Sequence, residues 1–199
     1  DFAIAKKLNL NSLRFGIEWS RVEPSEGQWD QAALDHYKKY ISELLELKIE
    51  PIMNLWHWTM PVWFTEKGGF EKRKNIKYFE TFVEKLCQEL QITKLNYVLT
   101  LNEPNVYSTF GYVTGEWVPN KKNFLTFASV YYNLTIAHKR AYKILKKYNP
   151  KLKIGVAAQL ANIQAKRPQN LLDIIATHWM RYTWNWWFLN RINKYQDFV

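Results

Sequence analysis

Asn102 and Glu103 close an apolar run, NYVLTL, and Pro104 follows at once. A carboxylic acid mounted on the end of a rigid strand can give a proton to an ether-type oxygen and later take one from water. The amide beside it both donates to and accepts from a hydroxyl. Two further runs end in similar chemistry. PIMNLWHW finishes on His57 and Trp58, an imidazole next to an indole, and SLRFGIEW carries Arg14 and Glu18 within five residues. Each has a plainer alternative. Asn, Pro and an acidic residue are ordinary at turns and helix N-caps, His57 between two tryptophans suits a satisfied core histidine, and Arg14 with Glu18 suits a structural ion pair between strands.

The elements that must hold these residues are legible from periodicity. Leu34, Tyr37, Ile41, Leu44 and Leu45 recur at helical spacing over 30–48, with Asp30 as N-cap. Ile76, Phe79, Val83, Leu86 and Leu90 predict a second helix, and 127–148, rich in Ala, Leu and Lys, a third and longer one. Between them lie the strand-like runs SLRFGIEW, PIMNLWHW, NYVLTLNE and KIGVAA. Strands alternating with helices imply parallel pairing through right-handed crossovers. No glycine-rich dinucleotide or phosphate loop occurs, which favours a barrel over an open nucleotide-binding sheet. The polar tips Glu18, His57, Asn102 and Glu103 then fall at the C-terminal strand ends, where barrel active sites form. Strict alternation along SLRFGIEW sends Arg14, Gly16 and Glu18 inward and Leu13, Phe15, Ile17 and Trp19 toward the helices. Because regular alternation would separate Asn102 from Glu103, the backbone is expected to leave β geometry before Pro104.

Composition sets the bounds. With 199 residues and 47% hydrophobic content, the chain has material for one core, and we read 1–199 as part of one domain. A net charge of +10 raises the question of nucleic acid or anionic lipid, but the lysines of KNIKYFETFVEK and KRAYKILKKYNPKLK lie on polar helix faces or near helix ends, as solvated charge does. Neither a nucleic-acid nor a membrane partner is expected. The single Cys87 excludes an internal disulfide and fits a buried thiol. With no signal-peptide pattern at Asp1, the expected location is cytoplasmic. Trp184, Trp186 and Trp187 are expected to serve core and helix packing rather than to offer a sugar platform. The Asn133-Leu134-Thr135 sequon, lying inside a predicted helix, is discounted as a glycan site.

Four stretches in order, RFGIEWSRVEP, LWHWTMP, LTLNEPN and GYVTGEWVPN, resemble the family 1 glycoside hydrolases, of the retaining β-glucosidase and β-galactosidase type. The likeness extends to FEKRKNIKYFETFVEKL, TIAHKRAYKILKKYNPKLKIGV and WFLNRI, and so runs over nearly the whole chain. It implies an α/β fold, a segment of a (β/α)₈ TIM barrel covering roughly strands two to five. It also implies roles: Glu103 as general acid/base, Arg14 as the arginine positioning the nucleophile, and His57, Trp58 and Asn102 as substrate-binding residues. The substrate implied is a small-molecule β-glycoside or oligosaccharide, with neither metal nor organic cofactor, since two carboxylates and water suffice.

Two departures qualify the resemblance. Thr59-Met60 stands where the family usually has aspartate or another characteristic residue after His-Trp. A retaining glycosidase also needs a second carboxylate about 5–5.5 Å from the first, and no Glu-Asn-Gly motif of the kind that supplies it occurs in the sequence. The expectation is that the nucleophile lies outside this chain, that the remainder of the barrel is required, and that the isolated chain is inactive. A noncatalytic sugar-binding remnant and a basic nucleic-acid-binding protein are the alternatives.

Overall fold

The computed structural model describes residues 2–199. In chain order its elements are α1 (Phe2–Lys7), β1 (Ser12–Gly16), α2 (Trp19–Val22), α3 (Gln31–Glu46), β2 (Glu50–Asn54), α4 (Val62–Glu66), α5 (Ile76–Glu89), β3 (Tyr97–Asn102), α6 (Pro104–Thr109), α7 (Phe124–Tyr148), β4 (Lys153–Ala157), α8 (Leu171–Arg181) and α9 (Trp187–Ile192). The four strands form one parallel sheet in the order β1-β2-β3-β4. Parallel neighbours joined through helices are the repeating unit of a (β/α)₈ barrel, and this sheet is a segment of one. Phe198 adds a parallel bridge beside Gly155 on the outer side of β4. A Cβ at Gly155 would collide with the Phe198 carbonyl, so the approach requires glycine.

The three long helices form where apolar periodicity predicts them. Asp30 Oδ1 accepts from the Ala33 amide at 2.9 Å and starts α3, whose Leu34, Tyr37, Ile41 and Leu44 are buried. On α5 the buried face is Ile76, Phe79, Phe82, Val83, Leu86 and Cys87, and burial pushes the Cys87 thiol up to about 12. The third helix begins at Phe124 rather than Phe127, because Asn123 Oδ1 accepts from the Thr126 amide at 2.9 Å and so captures one more turn. Its Asn133 is buried and donates to the Phe70 carbonyl at 2.8 Å, which removes the sequon from any glycan.

The β ladder along SLRFGIEW ends at Gly16, yet the alternation of faces continues: Ile17 and Trp19 are buried and Glu18 is not. Phe15 meets Tyr40 of α3 at 4.6 Å between ring centroids, as the apolar face should. Beyond Gly16, Glu18 caps α2 and Trp19 belongs to that helix. The Trp19 indole stacks on Phe82 at 4.9 Å and donates to Glu23 Oε2, one turn on, at 2.8 Å. Burying such a ring stabilises the fold by about 1.5–3 kcal/mol. Packing also separates the tryptophans of the last helices. Trp187 stacks on Tyr131 at 4.7 Å and Trp184 is half-buried, but Trp186 is 52% exposed, contrary to the packing expectation. The π-helical turn Tyr182–Trp186 rotates it away from the face its neighbours use. No helix among the described residues is long and apolar enough to cross a membrane.

Candidate active site

At the C-terminal ends of β1, β2 and β3 the five singled-out residues come together. Arg14 is exposed on the open side of β1, and its Nη2 donates to Asn102 Oδ1 across the sheet. Among the described residues it makes no ion pair, so the structural-pair alternative fails: its partner is an amide. Asn102 is buried and held on three sides. Its amide donates to the Trp56 carbonyl at 3.0 Å, its carbonyl accepts from Trp58 Nε1 at 2.9 Å, and its side-chain oxygen faces Arg14. That leaves the Nδ2 end of the side chain as a donor.

Glu103 follows with φ +41° and ψ +62°, the left-handed region, and the pairing of β3 with β4 shifts register between Leu99 and Asn102. The backbone therefore leaves β geometry before Pro104, as the adjacent pair requires. The turn is stabilised from β4, where the Ala157 carbonyl accepts from the Glu103 amide at 2.8 Å. Glu103 also stands at the start of α6, yet its side chain makes no capping bond. The plainer reading as a cap residue thus loses its hydrogen bond.

His57 is exposed, not a core histidine, and its ring has no hydrogen-bond partner among the described residues. The protein crowding one side of the ring lowers its pKa below the ordinary 6.5, and the Arg14 charge adds to this. The carboxylates of Glu103 and Glu18 act in the opposite sense, which places both within electrostatic reach of the imidazole. A cleft of about 320 Å³ lies against Gly16, Ile17, Glu18, His57, Trp58 and Thr59. The other face of Trp58 borders a second cavity of about 350 Å³ that includes Met60, Tyr107, Tyr112 and Trp117. Trp58 and Trp117 lie 4.7 Å apart, and Trp117 stacks on Phe110 at 4.9 Å. Three residues of this site had no role in the sequence reading. Trp117 sits within GYVTGEWVPN, Thr59 marks the departure after His-Trp, and Glu18 reads from the sequence only as a strand-tip carboxylate. Among the described residues no group of three or more His, Cys, Asp or Glu could hold a metal ion.

The chain as a whole is similar to known proteins in sequence and fold. The profile described as Glycosyl hydrolase family 1 matches residues 1–198. The curated relatives include Beta-glucosidase A of Acetivibrio thermocellus, 34% identical over 163 residues, with 81% of this chain and 36% of the relative covered. Aryl-phospho-beta-D-glucosidase BglC of Bacillus subtilis is 31% identical, with 94% and 39% covered. Among solved structures, the beta-glycosidase from Pyrococcus horikoshii gives a TM-score of 0.90 at 34% identity, covering 96% of this chain and 44% of that one. The beta-glucosidase from Thermotoga maritima in complex with deoxynojirimycin gives 0.87 at 29% identity, with 92% and 41% covered. The chain thus spans well under half the length of each of these relatives. With nearly every residue inside the profile and a parallel sheet that matches those of its relatives, the chain belongs to glycosyl hydrolase family 1.

Proposed function

We propose that this chain is the acid/base-bearing segment of a retaining β-glycosidase domain, with residues 1–199 forming part of one (β/α)₈ barrel. The observation that carries the reading is the left-handed backbone at Glu103, which releases it from strand alternation beside Asn102 and leaves its carboxylate within electrostatic reach of His57. In the first step the Glu103 carboxyl gives its proton to the glycosidic oxygen as the bond from that oxygen to the anomeric carbon breaks. A second carboxylate, supplied by the rest of the barrel, forms the glycosyl ester on the opposite face of the sugar. Water then attacks the anomeric carbon, Glu103 takes its proton, and the ester bond breaks. Asn102 Nδ2 is the donor for the sugar hydroxyl next to the reacting carbon. His57 supplies a further hydrogen-bonding edge, and Trp58 an apolar wall for a sugar face. Arg14, already turned into the site by Asn102, is positioned to hold the second carboxylate. The substrate class is a small β-glycoside or oligosaccharide.

In the domain completed with its remaining strands, Glu103→Gln should slow hydrolysis of β-glycosides with poor leaving groups by about 10²–10⁴-fold. Glycosylation by activated aryl glycosides, whose leaving groups need no proton, should be slowed far less. Equal losses on both substrate classes would remove Glu103 from the role. The 199-residue chain alone should show no turnover of an aryl β-glucoside.

A further inference from the structure

Trp58 carries φ +73°, a backbone conformation that side chains rarely adopt. The Thr59 amide donates to the His57 carbonyl at 2.9 Å, so residues 57–59 close a three-residue turn of the uncommon positive-φ kind. Such a turn persists only where surrounding contacts over-determine it. Two of them, the Trp58 indole on the Asn102 carbonyl and the Trp117 ring, are already part of the site. The third comes from Glu18. Its Oε2 accepts from Thr59 Oγ1 at 2.7 Å, a short bond to an ionisable oxygen.

Glu18 is itself fixed before Thr59 reaches it. Its Oε1 accepts from the Ser20 hydroxyl and, at 3.3 Å, from the Ser20 amide, while its own amide donates to the Tyr37 hydroxyl of α3 at 3.0 Å. The carboxylate therefore belongs to the rigid corner between β1 and α2, and Thr59 hangs from it. Two features without a partner explanation, a carboxylate at the β1 tip and a threonine after His-Trp, account for each other.

We propose that Glu18 is a positioning residue: through the Thr59 hydroxyl it holds the strained turn that sets the His57 ring and the Trp58 indole at the edge of the cleft. Its bearing on sugar binding rests on the glycosidase reading; the clamp itself does not. Hydrogen exchange of the Trp58 indole proton, followed by NMR on this chain, reads the turn directly. Thr59→Val keeps the shape and loses the hydroxyl, and it should speed that exchange about tenfold, while the buried α3 amide of Ile41 stays unchanged. Thr59→Ser restores the hydroxyl and should keep exchange within about twofold of the parent. Glu18→Ala should match Thr59→Val, and the double variant should exchange no faster than either single one, because both remove the same bond. Unchanged exchange in Thr59→Val, failure of Thr59→Ser to protect, equal acceleration at Ile41, or additive effects in the double variant would each overturn the clamp. No sugar enters the measurement, so a failure of the glycosidase reading is detected separately, by Glu103→Gln in the completed domain.

Discussion

Two histidines stand about one strand apart in the fold and live under opposite rules. His138, on α7 behind β3, is 0% exposed. The Tyr195 carbonyl 2.6 Å from Nε2 can only accept, so Nε2 carries the proton, and Nδ1 accepts from the Thr100 hydroxyl at 2.6 Å. His57, at the tip of β2, is exposed and its ring is unpartnered. Both have lowered pKa values: at His138 burial dominates, opposed by the Tyr195 hydrogen bond and aided by the Lys139 charge, and the value falls to about 4, whereas at His57 burial is joined by the charges of Arg14, Glu103 and Glu18. The contrast separates a polar group that holds the fold from one whose hydrogen bonds are left open, as the binding role proposed for His57 requires. A group that holds the fold has its hydrogen bonds filled by the chain, and a group that meets a ligand keeps them open within a field of other titratable side chains.

The comparison breaks most readily at His138. His138→Ala should cost about 3–5 kcal/mol, since it opens a cavity and strands the Thr100 hydroxyl and Tyr195 carbonyl. His57→Ala should change stability by less than about 0.5 kcal/mol. Urea unfolding of the two variants beside the parent measures both, and similar losses would erase the distinction.

A smaller effect tests the same contrast by pH. The folded pKa of His138, about 4, lies below the ordinary 6.5, so between these values the unfolded chain binds the extra proton. Its contribution is fully present above about pH 6.5 and is lost as pH falls toward 4, amounting to about 3 kcal/mol. The difference in unfolding free energy between the parent and His138→Gln, followed over that window, isolates the slope from the other titrating groups. A flat difference would mean that His138 is protonated in the fold.

The smallest expected effect has the opposite sign. Glu103 holds a left-handed backbone without a capping hydrogen bond from its side chain. Asn tolerates that conformation better, so Glu103→Asn should stabilise the chain by up to about 1 kcal/mol while removing its acid. Urea midpoints decide it, and a destabilised variant would show that the carboxylate supports the fold.

Much of the architecture was legible beforehand. The buried faces of α3 and α5 and the Asp30 cap follow from spacing within one or two turns, which is a local property. The misreadings lie where distant contacts compete with local pattern. SLRFGIEW reads as one strand, but the ladder stops at Gly16 and Glu18 caps a short helix that begins at Trp19, whose ring still packs on Phe82 of α5. Trp186 and Trp187 are identical and adjacent, and only the π-helical turn decides which one packs. At the site, residue types were readable and partners were not: Arg14 suggested a carboxylate, and the fold gives it the amide of Asn102.

By itself, the sequence determined the alternation of strands and helices, hence a parallel sheet, and the set of chemical groups at its C-terminal end. Periodicity, capping and the order of motifs all act over a few residues, so a one-dimensional string carries them. Only the tertiary structure decided the positive φ at Trp58 and Glu103, the Arg14–Asn102 contact across 88 residues, the Trp58–Asn102 bond across 44 and the Glu18–Thr59 bond across 41. Strained backbone is unfavourable in any short segment taken alone. It becomes the stable choice here because hydrogen bonds and aromatic contacts from other strand ends converge on it once the sheet has formed.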